Sequence, residues 1–254
     1  MTSTWLNRNR ELLWRIGVEH RETLMVQHMA EYGLTERPAI QNVYRDLIGE
    51  IQRARIIDAP LRMDRYAQTE VVRGRTEITL NSLIGRMPGV KDEHGIAHVA
   101  AWHESIHILV DVERRDLPPL TDLTSGLEGS TSSPLLCEVP EESLRRWNLR
   151  EQAIEAAALA AAVADADLRR SPSYLKFARL AAQGGDMGPG GWRLLGWIAT
   201  AVGVNRTALR RYFEQHRICR FTQEDGTARL IGTQQPFGGF ECLEPESATI
   251  RSIA

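Results

Sequence analysis

Two histidines separated by one helical turn, His103 and His107, constrain this chain more than any other feature of its 254 residues. The surrounding segment predicts a helix that begins near Asp92, a residue able to cap it, and ends near residue 114. Positions four apart on a helix differ in direction by only about 40°. Both imidazoles therefore point to one spot, and the fold must place a further element beside that face of the helix.

Glu104 follows the first histidine and completes the pattern H-E-x-x-H. Two imidazoles on one helix face can hold a zinc ion, and zinc lowers the pKa of a bound water towards about 7. The Glu104 carboxylate lies beside the two rings, where it could take the proton of that water during attack on a carbonyl. The pattern predicts Zn²⁺ held by His103 and His107, with Glu104 as the general base. The alternative is two histidines stacked on a surface helix.

Two further histidines on the same helix, His94 and His98, are not expected to join this site. On an ideal helix His98 is rotated by about 140° from His103, and His94 by about 180°. Both side chains therefore face away from the candidate metal. We interpret them as solvated or packed histidines.

A catalytic zinc ion needs a third protein ligand and an open fourth position. The extended pattern H-E-x-x-H-x-x-G-x-x-H is absent, since positions 110 and 113 are Val and Glu. The third ligand is most simply a carboxylate on a second long helix, predicted over residues 141–168. Glu151 and Glu155 are one turn apart there, and the alanines that follow would let two helices approach closely. Either glutamate is a candidate for the third ligand.

The charge balance and the cysteines exclude other classes of protein. Basic side chains number 31 and acidic ones 33, so the net charge of −2 gives no general field for nucleic acids, and any such contact must be local. Three cysteines without a C-x-x-C pair argue against a disulfide framework or a thiolate zinc site. No apolar run approaches the roughly 20 residues that span a bilayer, so we expect a cytoplasmic protein without a membrane partner.

The periodicity of the chain predicts an α+β fold that is mostly helical. Apolar residues follow helical spacing over 3–32 and 38–57, whereas residues 71–80 alternate like two strands around the turn Arg73-Gly74. A small sheet beside the H-E-x-x-H helix is a zincin-like arrangement, and the edge of that sheet could hold an extended peptide. The predicted regions are an N-terminal helix (1–35), a zincin-like metallopeptidase domain (36–170) and a C-terminal helical region with a candidate helix-turn-helix and a terminal hairpin (171–254).

The order of a strand pair, an H-E-x-x-H helix, a loop and a second helix resembles the ImmA/IrrE-type metallo-endopeptidases. In that family the second helix reads E-x-x-A-N-x-F-A, and its first glutamate is the third zinc ligand. On this chain the pattern falls on residues 151–158, with Ile154 in place of Ala, Glu155 in place of Asn and Ala157 in place of Phe. The polar residue at the Asn position favours Glu151 over Glu155 as the ligand that the resemblance implies.

The resemblance, which spans about residues 40–165, implies an intracellular zinc protease. Its substrate would be a partner regulatory protein, often a helix-turn-helix repressor. A rival class of function is a DNA-binding or sensor-type transcriptional regulator that retains a protease-like domain. A purely structural helical protein is the third alternative.

A second local pattern lies in the C-terminal region, over residues 192–217. Two short helices, 192–202 and 205–217, flank Gly203 and resemble a helix-turn-helix with a tight turn. Five arginines crowd the second helix and the residues just after it: Arg206, Arg210, Arg211, Arg217 and Arg220. This basic stripe has two interpretations, a helical hairpin that packs on the catalytic domain or a surface that contacts DNA or a regulator.

Overall fold

The computed structural model of the protein describes residues 2–88, 90–112, 141–224 and 226–233. Over these ranges the chain is α+β and mostly helical, as its periodicity predicts, and it contains two three-stranded sheets. Within the same ranges, no helix is long and apolar enough to cross a membrane.

Eight helices and six strands are numbered here in chain order over the described residues. They are α1 (Thr2–Glu31), α2 (Ile40–Asp46), β1 (Arg55–Ala59), β2 (Ala67–Val72), β3 (Arg75–Asn81), α3 (Glu93–His107), α4 (Glu141–Ala162), α5 (Asp165–Arg170), α6 (Pro172–Ala182), β4 (Gly185–Asp186), α7 (Gly188–Val202), α8 (Arg206–Gln215), β5 (Cys219–Glu224) and β6 (Thr227–Gly232). Wider helical turns extend α2 over Leu47–Ile51 and α3 over Ile108–Val112.

The first sheet has the strand order β1-β3-β2, so β2 lies at an edge. β2 and β3 form the predicted antiparallel hairpin, in which Thr69 pairs with Ile78. Arg73 and Gly74 have φ values of 51° and 75° at its turn, and two positive φ angles match the twist of a two-residue hairpin. Ile78 is fully buried, as the alternating pattern predicts.

The prediction of one helix over residues 38–57 is wrong in its last part. The helical conformation ends at Ile51, and Arg55–Ala59 forms strand β1, which pairs parallel with β3. Arg53 interrupts the helical backbone with a φ of 60°. A short apolar run such as Ile56-Ile57 suits a strand as well as a helix, and pairing with β3 decides between them.

Helix α4 is the centre of the packing and contacts both α1 and α3. The alanine-rich stretch over residues 156–164, which begins in α4 and continues just past its end, is buried throughout, with no side chain more than 8% exposed. α1 approaches closely because Gly17 faces α4, where a Cβ atom would overlap the Ala157 carbonyl. The small side chains therefore let helices approach α4 closely, as the sequence suggests. α1 is one of these helices, and α3 is the other.

The second long helix is shorter than the predicted range 141–168. α4 ends at Ala162, and α5 starts after Ala164, whose backbone is extended. The buried guanidinium of Arg21 on α1 donates hydrogen bonds to the carbonyls of Ala160 (2.8 Å) and Val163 (3.1 Å). A cation at these carbonyls satisfies the acceptors that a helix end leaves open, which stabilises the break.

The C-terminal part contains α6, α7, α8 and the second sheet, whose strand order is β4-β6-β5. The predicted terminal hairpin is β5–β6, and β6 is antiparallel to both of its neighbours. α7 begins at Gly188, before the predicted residue 192, because Pro189 is tolerated in the first turn of a helix.

Candidate metal centre

Helix α3 carries the two histidines of the motif. Asp92 caps its start, since the Asp92 carboxylate accepts a hydrogen bond from the Gly95 backbone N–H at 2.9 Å. One turn apart near its other end, the rings of His103 and His107 lie 4.9 Å from each other and are inclined by 65°. Both side chains are half-buried, with 26% and 18% of their surfaces exposed.

Helix α4 brings the Glu151 carboxylate to the same point. Its Oε2 atom lies 3.3 Å from His103 Nε2 and 3.4 Å from His107 Nε2. One nitrogen from each ring and one carboxylate oxygen all lie within 4.8 Å of one another. Among the described residues, this is the one group of three side chains of these types close enough to hold a metal ion.

The separation of these atoms fits a zinc ion. Ligand bonds of about 2.1 Å at tetrahedral angles put neighbouring ligand atoms about 3.4 Å apart. The two distances from Glu151 Oε2 to the imidazole nitrogens match that value. Two imidazoles and one carboxylate also form a known ligand set for catalytic zinc, with a fourth position left for water.

The Glu151 carboxyl is held in its ionised form. Burial alone would raise the pKa of Glu151, but hydrogen bonds and positive charge from His103 and His107 outweigh it and lower the pKa well below its usual range. An ionised carboxylate is the form that binds a metal.

Glu104 does not belong to the three-residue group and turns towards the sheet. Its Oε2 atom accepts a hydrogen bond from the Thr69 hydroxyl at 2.6 Å. Thr69 lies on β2, the edge strand, so the hydrogen bond joins the expected general base to the strand expected to hold a substrate. The sequence carries no signal for Thr69, because a single hydroxyl in a strand far from the motif is not distinctive.

Glu155, the other candidate for the third ligand, is engaged elsewhere. It forms an ion pair with Arg211 of α8. Four residues on a helix correspond to a shift of about 6 Å along its axis, so one turn of α4 lies level with the histidines and the next does not. The structure thus brings Glu151, and not Glu155, to His103 and His107.

The other two histidines of α3 lie outside the group. His94 is exposed. His98 is buried, accepts a hydrogen bond from the Trp102 indole N–H at 3.1 Å, and lies 2.8 Å from the Gly203 carbonyl through Nδ1. Nδ1 therefore carries the proton of a neutral ring, and burial lowers the pKa of His98 to about 4.

A buried polar network centred on Ser105, within the motif, fixes the rotation of α3 about its own axis. Ser105 is fully buried, and its hydroxyl donates to Gln52 Oε1 at 2.6 Å. Its oxygen lies 2.8 Å from His20 Nε2 on α1, which therefore acts as the donor. Gln52 Nε2 donates in turn to the Ser105 carbonyl at 3.0 Å. Sequence patterns do not reveal this network, because its three members come from separate elements.

Comparisons with protein-family models, with curated proteins and with solved structures found no match for this chain.

Proposed function

We propose that this protein is a zinc-dependent metallo-endopeptidase of the ImmA/IrrE type, with a zincin-like core. The convergence of His103, His107 and Glu151 from two helices carries the proposal. The placement of Glu104 beside the group and against an edge strand supports a hydrolytic role. The proposed base is the Glu104 expected from the sequence, and the proposed third ligand is Glu151, one of the two glutamates that the sequence offers.

The side chains divide the reaction between them. His103, His107 and Glu151 would hold the ion, and bound zinc supplies a Lewis acid that acidifies water and polarises a carbonyl. Glu104 accepts the proton of the attacking water and returns it to the leaving amine. The Thr69 hydroxyl orients Glu104 by holding one of its carboxylate oxygens.

The edge strand β2 supplies the expected substrate site. Its partner β3 occupies one side of its backbone, so the other side can pair with an extended peptide. Because α3 contacts β2, a peptide added there would run past Glu104. A partner regulatory protein, such as a helix-turn-helix repressor, is the substrate that the family resemblance suggests.

Metal analysis followed by a cleavage assay tests the proposal. We expect one zinc per chain in the wild type and in His94→Ala, an exposed control on the same helix, and none in His103→Ala. Zinc-loaded protein should then cleave a regulator encoded beside its gene, and a chelator should stop the cleavage. Equal zinc in all three proteins would show that His103 does not bind the metal. Zinc-loaded protein that binds a regulator or DNA without cleaving it would favour the rival regulatory function.

A further inference from the structure

The order of elements over residues 172–233 defines a recognisable unit. It runs α6, β4, α7, α8, β5 and β6, and its short first strand pairs with its last strand in the sheet order β4-β6-β5. Three helices with a three-stranded sheet in this order form a winged helix, in which the second and third helices are a helix-turn-helix. The sequence suggests the two helices and the terminal hairpin, but not the short strand β4 that completes the sheet.

The turn between α7 and α8 has the geometry of a helix-turn-helix. Gly203 ends α7 in the left-handed conformation with a φ of 70°, and a side chain there would overlap Gln41. Val204 is fully buried, and Asn205 caps α8 by accepting a hydrogen bond from the Ala208 N–H at 2.9 Å. A three-residue turn that contains glycine is typical of the motif.

The unit is basic in an otherwise acidic chain. Residues 172–233 carry nine basic and four acidic side chains, a net charge of +5. The rest of the chain carries 22 basic and 29 acidic side chains, a net charge of −7. The net charge of −2 for the whole chain therefore includes a local region of positive charge, and positive charge attracts a polyanion.

Three of the five arginines in the stripe are exposed and have no part in the ion pairs seen for the other two. Arg210 stacks over the Phe221 ring, 4.1 Å from its centroid, and lies 3.6 Å from Glu214. Arg211 pairs with Glu155 of α4. The three outside these ion pairs are Arg206 in the first turn of α8, together with Arg217 and Arg220 beyond its end, and all three are exposed, as Arg211 also is.

The start of α8 is the part best placed to meet DNA. Arg206 and Thr207 are both exposed in its first turn, while Leu209 and Phe213, further along the helix, are buried. Arg193 is exposed on the neighbouring α7. In helix-turn-helix proteins, the first residues of the second helix reach base edges while flanking arginines bind phosphates.

We propose that residues 172–233 are a winged helix that binds double-stranded DNA, with the first turn of α8 in the major groove and Arg193 and Arg206 as anchors. The sequence between β5 and β6 is acidic, with Glu224 followed by Asp225, so we assign the DNA contacts to the helices. This binding function is separate from peptide hydrolysis.

The Glu155–Arg211 ion pair sets the strength of this binding. Glu155 places a negative charge against the exposed side of α8 and occupies a guanidinium that could otherwise meet a phosphate. Removing that charge should tighten DNA binding. A role of the pair in packing alone predicts no such gain.

Fluorescence anisotropy with the full-length protein and a duplex of mixed sequence tests the proposal. We expect measurable binding at about 50 mM salt that weakens steeply towards about 200 mM. Arg193→Ala/Arg206→Ala should weaken it at least tenfold and reduce the salt slope by about 2, roughly one per lost phosphate contact. Glu155→Gln should tighten it several-fold, whereas Arg73→Ala, an exposed arginine on the β2–β3 turn, should leave it unchanged.

A parallel arm with a chelator separates this proposal from the proteolytic one. DNA binding should persist in the chelator, where metal-dependent hydrolysis stops. Absence of salt-dependent duplex binding at about 50 mM salt would overturn the proposal, as would equal losses in Arg73→Ala and the double variant. Salt-insensitive association with a protein partner, without binding to the duplex, would overturn it in favour of a protein-binding surface.

Discussion

The candidate metal centre and the proposed C-terminal winged helix each take one glutamate from the same helix, α4. Glu151 lies between two imidazoles at 3.3 Å and 3.4 Å, whereas Glu155 pairs with Arg211 on α8. The two residues share type, helix and nearly the same face. Their different partners show that the role of each glutamate depends on the helix that packs against it. Residue type and spacing along α4 do not distinguish the two.

The two regions also differ in how their polar groups are held. Around the centre, Ser105, Gln52 and His20 form a network that is buried or half-buried and holds one face of α3 towards Glu151. On the winged helix, Arg206 and Arg220 extend into solvent. The first arrangement suits the fixed geometry of a metal site, and the second suits an adaptable contact with phosphates.

The largest expected effect separates catalysis from every binding function. Glu104→Gln keeps the shape of the side chain but cannot accept a proton, so hydrolysis of a cleaved partner should fall by about 10²–10⁴-fold. Zinc content and DNA binding should stay at wild-type values. Full activity in this variant, measured with zinc-loaded protein, would show that another group is the base.

The comparison between the two glutamates of α4 is tested by changing each one. Glu151→Ala should lower zinc affinity by more than the roughly 10–100-fold that outer-sphere changes produce, because a direct ligand is lost. Glu155→Ala should leave zinc affinity unchanged, because its partner is Arg211. A zinc titration in competition with a chelator measures both variants, and the reverse order would move the ligand to Glu155.

A pH-dependent effect is expected where the two regions meet, since His98 on α3 lies against Gly203 in the turn of the winged helix. The pKa of His98 is lowered from 6.5 to about 4 by burial, so the unfolded chain binds a proton more readily than the folded one. Acidification from about pH 6.5 to about pH 4 should therefore reduce the free energy of unfolding, by an amount on the order of 3 kcal/mol.

Urea unfolding across this pH range, in a chelator that excludes effects of metal release, measures the contribution of His98. His98→Gln, which can keep a donor for the Gly203 carbonyl, should flatten the pH dependence. His94→Gln, exposed on the same helix, should follow the wild type. Parallel curves for the wild type and His98→Gln would refute the assignment of a neutral, buried ring.

A smaller effect is expected at the sheet edge. Thr69→Val removes the hydroxyl that holds Glu104 but keeps the shape of the side chain, so kcat should fall by about tenfold while zinc is retained. Thr79→Val changes a similar residue on the opposite face of the neighbouring strand and should have no effect. A wild-type rate in Thr69→Val, with the same substrate, would show that Glu104 needs no help from β2.

Local patterns predict the parts of the molecule that depend on near neighbours in sequence. The α+β class, the β2–β3 hairpin at Arg73-Gly74, the Asp92 cap of α3 and the two helices on either side of Gly203 all match the structure. Each depends on backbone geometry or side-chain spacing within a few residues, which the order of amino acids specifies directly.

By itself, the sequence determined that His103 and His107 point one way and that a carboxylate of α4 is a candidate to join them. Only the tertiary structure decided that Glu151 lies level with the histidines, that Thr69 holds Glu104, that residues 55–59 form a strand, and that β4 pairs with β6 in the second sheet. These features depend on the rotation and the axial position of each helix relative to the helix it packs on. Packing between distant segments, such as Gly17 against Ala157, sets both quantities and leaves no periodic pattern in the sequence.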